Sequence, residues 1–306
     1  MRVFRGLPAS AGTPVALTIG NFDGVHRGHQ AMLSRLMEAA DDLALPAAVL
    51  TFDPHPREFF AGAEAPPRLS TLRAKLERFA AYGVERTYVA RFDARLAGIP
   101  ADQFIEHVLV GRLGARWVLV GEDFRFGKGR GGDLATLRAA ACSFSVEAMR
   151  TVAIAGERAS SSAIREALAA GDLERATALL GRPYTISGRV VHGRKLGRTL
   201  GFPTANIPLR RTPPVSGIFA VRVHGLGAAS RAGVASLGVR PTVHVGAEPL
   251  LEVYLFGFDE TIYGRRLTVE FLHKLRDEAH YPDLEALTRQ IRADVAQAQD
   301  FFAARA

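Results

Sequence analysis

The chain has 306 residues, 39 Lys+Arg against 31 Asp+Glu, one Cys and one Trp, with 48% hydrophobic and 23% charged residues. At roughly 100–200 residues per domain this is a two-domain length of ordinary globular composition, which excludes a disordered tail, a collagen-like chain and a coiled coil. Cys142 alone excludes an internal disulfide and a multi-Cys zinc site, so a reducing cytoplasm is the expected compartment. No apolar run reaches the ~18 residues a membrane span needs, and Met1-Arg2-Val3-Phe4-Arg5-Gly6 has no apolar stretch behind it, so no signal peptide is expected. The net charge of +8 suits a nucleic-acid binder and an enzyme handling polyanionic small molecules equally.

The first part of the chain alternates short apolar runs with helical stretches. The runs at 15–19, 47–52, 87–90 and 117–120 are too short for helices and nearly all apolar, as strands of a parallel sheet covered on both faces must be. Helices are expected at 30–43, 71–82 and 102–113; in the last, Phe104, Ile105, Val108 and Leu109 form one stripe. This βαβα order predicts a doubly wound α/β domain with ligands beyond the carboxyl ends of its strands.

The first strand runs into Gly20-Asn21-Phe22-Asp23-Gly24-Val25-His26-Arg27-Gly28-His29. Two histidines three apart, where a turn enters a helix, meet free N–H groups and a positive dipole end that favour phosphate. Imidazoles donate to phosphate oxygens, and Gly28 leaves room for close approach to the backbone. The alternatives are a two-His metal site with Asp23, which lacks further ligands nearby, and histidines on a solvated turn. Thr51-Phe52-Asp53-Pro54-His55-Pro56, after the second strand, lies at the same edge. Gly127-Lys128-Gly129-Arg130-Gly131-Gly132 matches G-x-G-x-x-G, with Glu147 at the distance of a ribose-binding acid. Residues 121–126 separate it from the strand, however, so the dehydrogenase reading is rejected. No Walker-type sequence occurs, which excludes a P-loop kinase. Ser160-Ser161-Ser162-Ala163-Ile164-Arg165 opens an amphipathic helix; the serines suit a helix cap, and Arg165 suits a permanently charged clamp on a polyphosphate.

Near Gly181-Arg182-Pro183 the pattern changes to two-residue alternation over 184–191, 218–223, 251–256 and 267–271. That predicts an antiparallel sheet or small β-barrel, with a helix over 284–302 packed on it. The domains are therefore placed at 1–182 and 183–306. In Gly201-Phe202-Pro203-Thr204-Ala205-Asn206, Thr204 and Asn206 share one face of an extended segment. A hydroxyl and an amide oxygen side by side are hard ligands suited to Mg²⁺. Upstream, Val191-His192-Gly193-Arg194-Lys195-Leu196-Gly197-Arg198 is a Gly-rich basic loop able to cover phosphates, although a solvated basic hairpin has the same character.

The paired histidines on an α/β domain, with a Ser/Arg segment downstream, resemble the nucleotidylyltransferase superfamily. More narrowly, residues 51–56, 121–127 and 160–165 resemble the adenylyltransferase half of bacterial bifunctional riboflavin kinase/FAD synthetases. The chain departs from that family's usual pattern at Ala159 and Ser162, and has Asp123 at a position of Asn or Asp. Residues 201–206, 236–242 and Tyr263-Gly264 are similar to its riboflavin kinase half, a six-stranded barrel without a P-loop. The resemblance covers nearly the whole chain in the family's order.

It implies two reactions. In the barrel, riboflavin and Mg–ATP give FMN and ADP, with Glu252 as base, Thr204 and Asn206 on the metal, and Gly193, Lys195 and Gly201 at the nucleotide. Arg276 falls in a segment that folds over flavin. Without the resemblance, Glu252 reads as a cross-strand ion-pair partner, Arg276 as a surface arginine and Glu270 as an outward charge. In the first domain, FMN and a second ATP give FAD and pyrophosphate, with His26, His29 and Arg165 as catalytic donors and Ser161 and Ser162 orienting phosphate. Gly20, Phe22, Asp23, Gly28, Pro54, Pro56 and Asp123 complete that site. No membrane or nucleic-acid partner is expected, and subunit association stays open. The competing readings are a nucleotidylyltransferase of another small phosphate or alcohol, and a catalytically silent basic nucleic-acid-binding or regulatory relative. The aromatics lack the stacking pattern of a single-strand binder.

Overall fold

A computed structural model describes residues 1–193, 196–239 and 249–305. The chain forms two compact units, Met1–Pro66 with Ser70–Ser160, and Pro67–Leu69 with Ser161–Ala306. Lys195, and residues 240–242 of the second-half motif, lie outside the described residues.

In the first unit, strands β1 (Arg2–Arg5), β2 (Val15–Ile19) and β3 (Ala47–Phe52) are interleaved with α1 (Arg27–Asp42), α2 (Pro56–Ala61) and α3 (Leu72–Ala81). Then come β4 (Arg86–Ala90), α4 (Ala94–Ala97) and α5 (Ala101–Gln103), which continues as a π-helix over Phe104–Val110. The unit ends with β5 (Ala115–Gly121), α6 (Leu134–Ala139), β6 (Ser145–Met149) and a small hairpin, β7 (Ala153–Ile154) and β8 (Glu157–Arg158). The first six strands are all parallel, in the order β1-β4-β3-β2-β5-β6. Strand order reverses at β2, which opens a crevice beyond the carboxyl ends of β2 and β5.

Alternation along β2 builds both layers of the core. Val15, Leu17 and Ile19 pack with Phe104 and Leu109, whereas Ala16 joins Leu33, Leu36 and Phe79 on the other face. Each fully buried Leu or Phe contributes roughly 1.5–3 kcal/mol. The edge strands β1 and β6 lack apolar runs and were not legible in the sequence. In β6, Glu147 accepts two bonds from Arg35, Nε at 2.7 Å and Nη2 at 2.9 Å. The guanidinium lies 5.9 Å over the Trp117 ring. Glu147 is thereby committed to an ion pair, in keeping with rejection of the dehydrogenase reading.

The second unit opens with α7 (Ser161–Ala170) and α8 (Leu173–Leu180), which ends on Gly181 in the left-handed conformation. Its strands are β9 (Tyr184–Arg189), β10 (Thr204–Pro208), β11 (Gly217–His224), β12 (Arg231–Val239), β13 (Pro249–Leu255) and β14 (Arg266–Arg276). A short α9 (Leu196–Thr199) precedes β10, and α10 (Leu284–Ala303) closes the chain, capped by Asp283. The sheet is antiparallel, ordered β10-β13-β12-β11-β14-β9. It curls until the continuation of β9 meets β10 through the Val191–Asn206 bridge. Leu251, Val253 and Leu255 of β13 are buried while Glu252 and Tyr254 are half-buried, the two-residue alternation of a sheet with one apolar face. A parallel sheet followed by a curled antiparallel sheet with a C-terminal helix is the architecture expected from the sequence.

Candidate functional sites

The turn after β2 is held in an unusual conformation. Phe22 and Val25 have positive φ (50° and 43°), as does Gly24. A β-branched residue in that region is strained, and such residues cost about 1–3 kcal/mol each unless the surroundings fix them. Here the surroundings do. Phe22 is fully buried, edge-on to Phe79 at 5.2 Å and tilted against His29 at 4.9 Å. The buried Asp23 carboxylate accepts from Ser70 N at 3.1 Å and Ser70 Oγ at 3.3 Å, and Ser70 Oγ in turn accepts from Gly24 N. Asp23 therefore fastens the turn to the segment before α3.

His26 is the N-cap of α1, with its Nδ1 accepting from the His29 backbone N–H at 3.4 Å. That bond leaves the neutral ring's proton on Nε2. The two imidazoles stack 3.7 Å apart, and His29 Nδ1 is buried with no hydrogen-bond partner. Burial first, then the neighbouring His26 and Lys75, hold the His29 pKa well below its ordinary value. The result is a tightly packed pair whose inner ring is neutral. A Cβ at Gly28 would stand 3.2 Å from the His26 ring and 3.4 Å from the Ala159 carbonyl, so the glycine preserves the ring's position. At Gly20 a Cβ would crowd Phe22 at 3.1 Å. Among the described residues no three His, Cys, Asp or Glu side chains gather as a metal site, so the two-histidine metal alternative finds no further ligands.

The neighbouring strand ends contribute different parts. His55 caps α2, its Nδ1 accepting from Arg57 N, with Pro54 preceding it and Pro56 in the first turn. Asp123 beyond β5 pairs with Arg158 Nη2 at 2.5 Å, which lowers its pKa. Both side chains are more than half exposed, so this pair stabilises the fold little. Phe59, Phe60 and Phe92 form a ring cluster with Phe52, and Phe60 is 72% exposed.

Ser161, Ser162 and Arg165 belong to the second unit. Arg165 Nε donates to the Pro67 carbonyl at 2.6 Å and Nη1 to the Ser161 carbonyl at 3.1 Å, so its guanidinium is fixed in direction by the first turn of α7.

On the curled sheet, Thr204, Asn206 and Glu252 come together. Asn206 is directly opposite Glu252 and Thr204 opposite Tyr254, so all four side chains share the face turned away from Leu251 and Val253. Asn206 is 6% exposed; its Nδ2 donates to the Thr204 carbonyl at 3.0 Å, while Oδ1 is buried without a hydrogen-bond partner. A Cβ at Gly193 would fall 2.5 Å from that oxygen, so only glycine lets the basic loop cross there. Gly201, at φ 86°, turns the chain into the segment that carries Thr204. Glu270, by contrast, sits 3.2 Å from His224 Nε2 and reads as an ordinary cross-strand charge.

Arg276 makes a bidentate ion pair with Asp294 of α10, at 2.8 and 2.6 Å, and Asp294 is only 3% exposed. Releasing it would leave a buried carboxylate uncompensated, at about 3–5 kcal/mol. Glu278, two residues on, rests on Gly238, where any Cβ would collide with its carboxylate. Burial first raises the Glu278 pKa; Arg276 opposes this and the Glu252 charge adds to it. Glu278, Ser70, Arg158 and Lys75 were not singled out from the sequence. Only Lys75 carried a signal, a lysine on the apolar stripe of Leu72 and Phe79.

A sequence model of FAD synthetase matches residues 9–163, and one of riboflavin kinase matches residues 180–302. The chain is 49% identical over 290 residues to the bifunctional riboflavin kinase/FMN adenylyltransferase of Haemophilus influenzae, covering 94% of each. It is 46% identical over 308 residues to the protein of that name from Escherichia coli K12, covering 99% of this chain and 98% of the other. It also resembles a crystal structure named as a macrolide-efflux protein from Streptococcus pneumoniae, with TM-score 0.82 and 27% identity over 95% of this chain and 97% of that one. Among the described residues here, no helix is long and apolar enough to cross a membrane.

Proposed function

The chain belongs to the bifunctional riboflavin kinase/FMN adenylyltransferase family, so it converts riboflavin to FMN and FMN to FAD with ATP, and we propose the following division of that work among its residues. In the kinase reaction the ribityl hydroxyl oxygen attacks the γ-phosphorus of ATP, and the bond from that phosphorus to the β–γ bridging oxygen breaks, releasing ADP. Glu252 accepts the hydroxyl proton. Thr204 and Asn206 would hold Mg²⁺; the support is the buried Asn206 Oδ1 without a hydrogen-bond partner, a neutral hard oxygen beside the base. The chemistry such an ion would supply there is neutralisation of phosphate charge. Gly193 and Gly201 line the nucleotide's path, and Lys195, which lies outside the described residues, is assigned to the nucleotide from the family resemblance alone. Arg276 serves the flavin segment by tying the end of β14 to α10.

In the adenylyltransferase reaction an FMN phosphate oxygen attacks the α-phosphorus of ATP, and the α–β bridging bond breaks, releasing pyrophosphate. The attacking oxygen is already anionic, so no protein nucleophile is required. What limits the step is negative charge on the crowded α-phosphate, and fixed donors answer that. His26 and His29 supply imidazole donors, Arg165 a rigid guanidinium, and Ser161 and Ser162 hydroxyls at the start of α7. Gly20, Phe22, Asp23 and Gly28 keep the turn open and fixed, with Pro54, Pro56 and Asp123 bounding the site. The exposed rings of Phe59 and Phe60, backed by the half-buried Phe92, offer faces on which a flat isoalloxazine can stack. Functionally the boundary between the two activities falls near residue 182, because Ser161–Arg165 serve the first. The single, exposed Cys142 suits a reducing, cytoplasmic setting.

The metal assignment has its own test. Asn206→Ala is expected to raise the Mg²⁺ concentration for half-maximal FMN formation by at least roughly 10-fold, the lower end of what losing even an outer-shell partner costs. FAD formation from supplied FMN serves as the control and keeps its Mg²⁺ dependence. An unmoved Mg²⁺ curve for FMN formation would remove Asn206 from the metal site.

A further inference from the structure

Lys75 is 5% exposed, yet it stands in the first turn of α3 at the carboxyl edge of the parallel sheet. Burying an ammonium is costly unless its hydrogens find oxygens. Its Nζ donates to the Asn21 carbonyl at 2.5 Å and to Thr51 Oγ1 at 3.3 Å, and the Thr51 hydroxyl donates to the same carbonyl at 3.3 Å. Asn21 follows β2 and Thr51 lies in β3, so one ammonium joins the ends of two adjacent strands just before the strained Phe22–Val25 turn. The Asn21 side chain adds a second observation: its Oδ1 is buried with no hydrogen-bond partner. A carbonyl locked toward Lys75 fixes where the rest of that residue and the following turn point.

We propose that Lys75 is a positioning residue for adenylyl transfer, its buried ammonium clamping the Asn21 carbonyl and the Thr51 hydroxyl so that the turn delivers His26 and His29 in register. This rests on the assignment of the paired imidazoles to the adenylyltransferase site. The ammonium acts a second way, by its charge. Among the described residues, the titratable and charged groups facing His29 are His26, stacked on it from the helix cap, and Lys75 from α3; Asp23 of the turn is bonded to Ser70. A cation there disfavours a second positive charge on His29, whose buried Nδ1 has no acceptor for an added proton. Lys75 thus keeps the inner imidazole neutral and the stack intact as the pH falls.

The test uses the full chain with Lys75→Met, which keeps the stem and removes the charge. The single Trp, Trp117, lies in the first unit, so its emission and melting curve report whether that unit is folded. The expected result is a fall in kcat for FAD formation from FMN of roughly 10- to 100-fold, the cost of a small misplacement of catalytic groups. FMN formation from riboflavin by the same preparation stays at its wild-type rate. The acid limb of the FAD-forming pH profile moves to higher pH, because removing the cation eases protonation of His29, and an unchanged Trp117 emission and melting curve excludes loosened packing as the cause. Full FAD turnover with an unmoved acid limb would overturn the proposal. His29→Ala, assayed beside it, separates the two levels: if it too retains FAD formation, the imidazole assignment itself fails. Should Lys75→Met lose the Trp117 signature, Lys75→Arg takes its place. Arg keeps the charge, but its larger planar head group does not fit the buried place of the ammonium against the Asn21 carbonyl, so reduced turnover with an unmoved acid limb supports the clamp, and undiminished turnover overturns it.

Discussion

His29→Ala is expected to lower FAD formation from FMN and ATP by roughly 10²–10³-fold, the usual loss when one fixed donor is removed from a developing oxyanion. FMN formation from riboflavin is expected to continue at the wild-type rate. The size of the effect follows from the packing. His29 is stacked on His26 at 3.7 Å and tilted against Phe22 at 4.9 Å. Neither ring can rotate without disturbing the other, so water filling the gap cannot reproduce the donor's direction. His29→Ala also leaves His26 without its stacking partner while keeping the backbone N–H that His26 caps. Native Trp117 emission in the variant shows that the first unit remains folded. Parallel loss of both activities in a folded variant would contradict the separation of the two reactions.

Glu252→Gln is expected to act in the opposite sense. Removing a general base typically costs ~10²–10⁴-fold, so FMN formation should fall by that amount while FAD is still made from supplied FMN. Glutamine keeps the size and one oxygen of the side chain, so the cross-strand register with Asn206 and Ser236 is undisturbed. A purely structural ion-pair role would show as lower thermal stability of the second unit with turnover retained. Glu278 is the internal alternative, since its carboxylate lies near enough for Glu252 to raise its pKa. If Glu252→Gln kept full kinase turnover, the base would have to be sought there.

The sequence disclosed the interior of each unit better than its margins. The runs at 15–19 and 47–52 coincide with β2 and β3 because a strand buried on both faces has no alternative to being apolar. β1 and β6 escape that rule. β1 is an exposed edge, and β6 carries Glu147 because Arg35 from α1 is there to neutralise it. The helix predicted at 30 starts at Arg27, since His26 serves as its cap, a role less often read from histidine than from Ser, Thr, Asp or Asn. The packing of α7 and α8 with the second unit was not legible, because an amphipathic stripe does not say which sheet it will cover.

The candidate sites divide in the same way. His26, His29, Thr204 and Asn206 stood out because their spacing places chemistry on one edge or face, and Thr204 and Asn206 do share a face. Glu252 opposite Asn206 depends on strand register, which one strand's sequence does not contain. Arg276 has the composition of a ligand contact and the environment of a brace, because Asp294 meets it from α10, 18 residues away. Lys75 shows the converse: a charge on an apolar stripe, unexceptional until Asn21 and Thr51 are seen to meet it.

The central claim is that the adenylyltransferase and kinase sites each bind their own triphosphate. Calorimetric titration of the full chain with a non-hydrolysable ATP analogue, in the presence of riboflavin and Mg²⁺, tests it most directly. Two nucleotides bound per chain are the predicted result; saturation at a single one would contradict it.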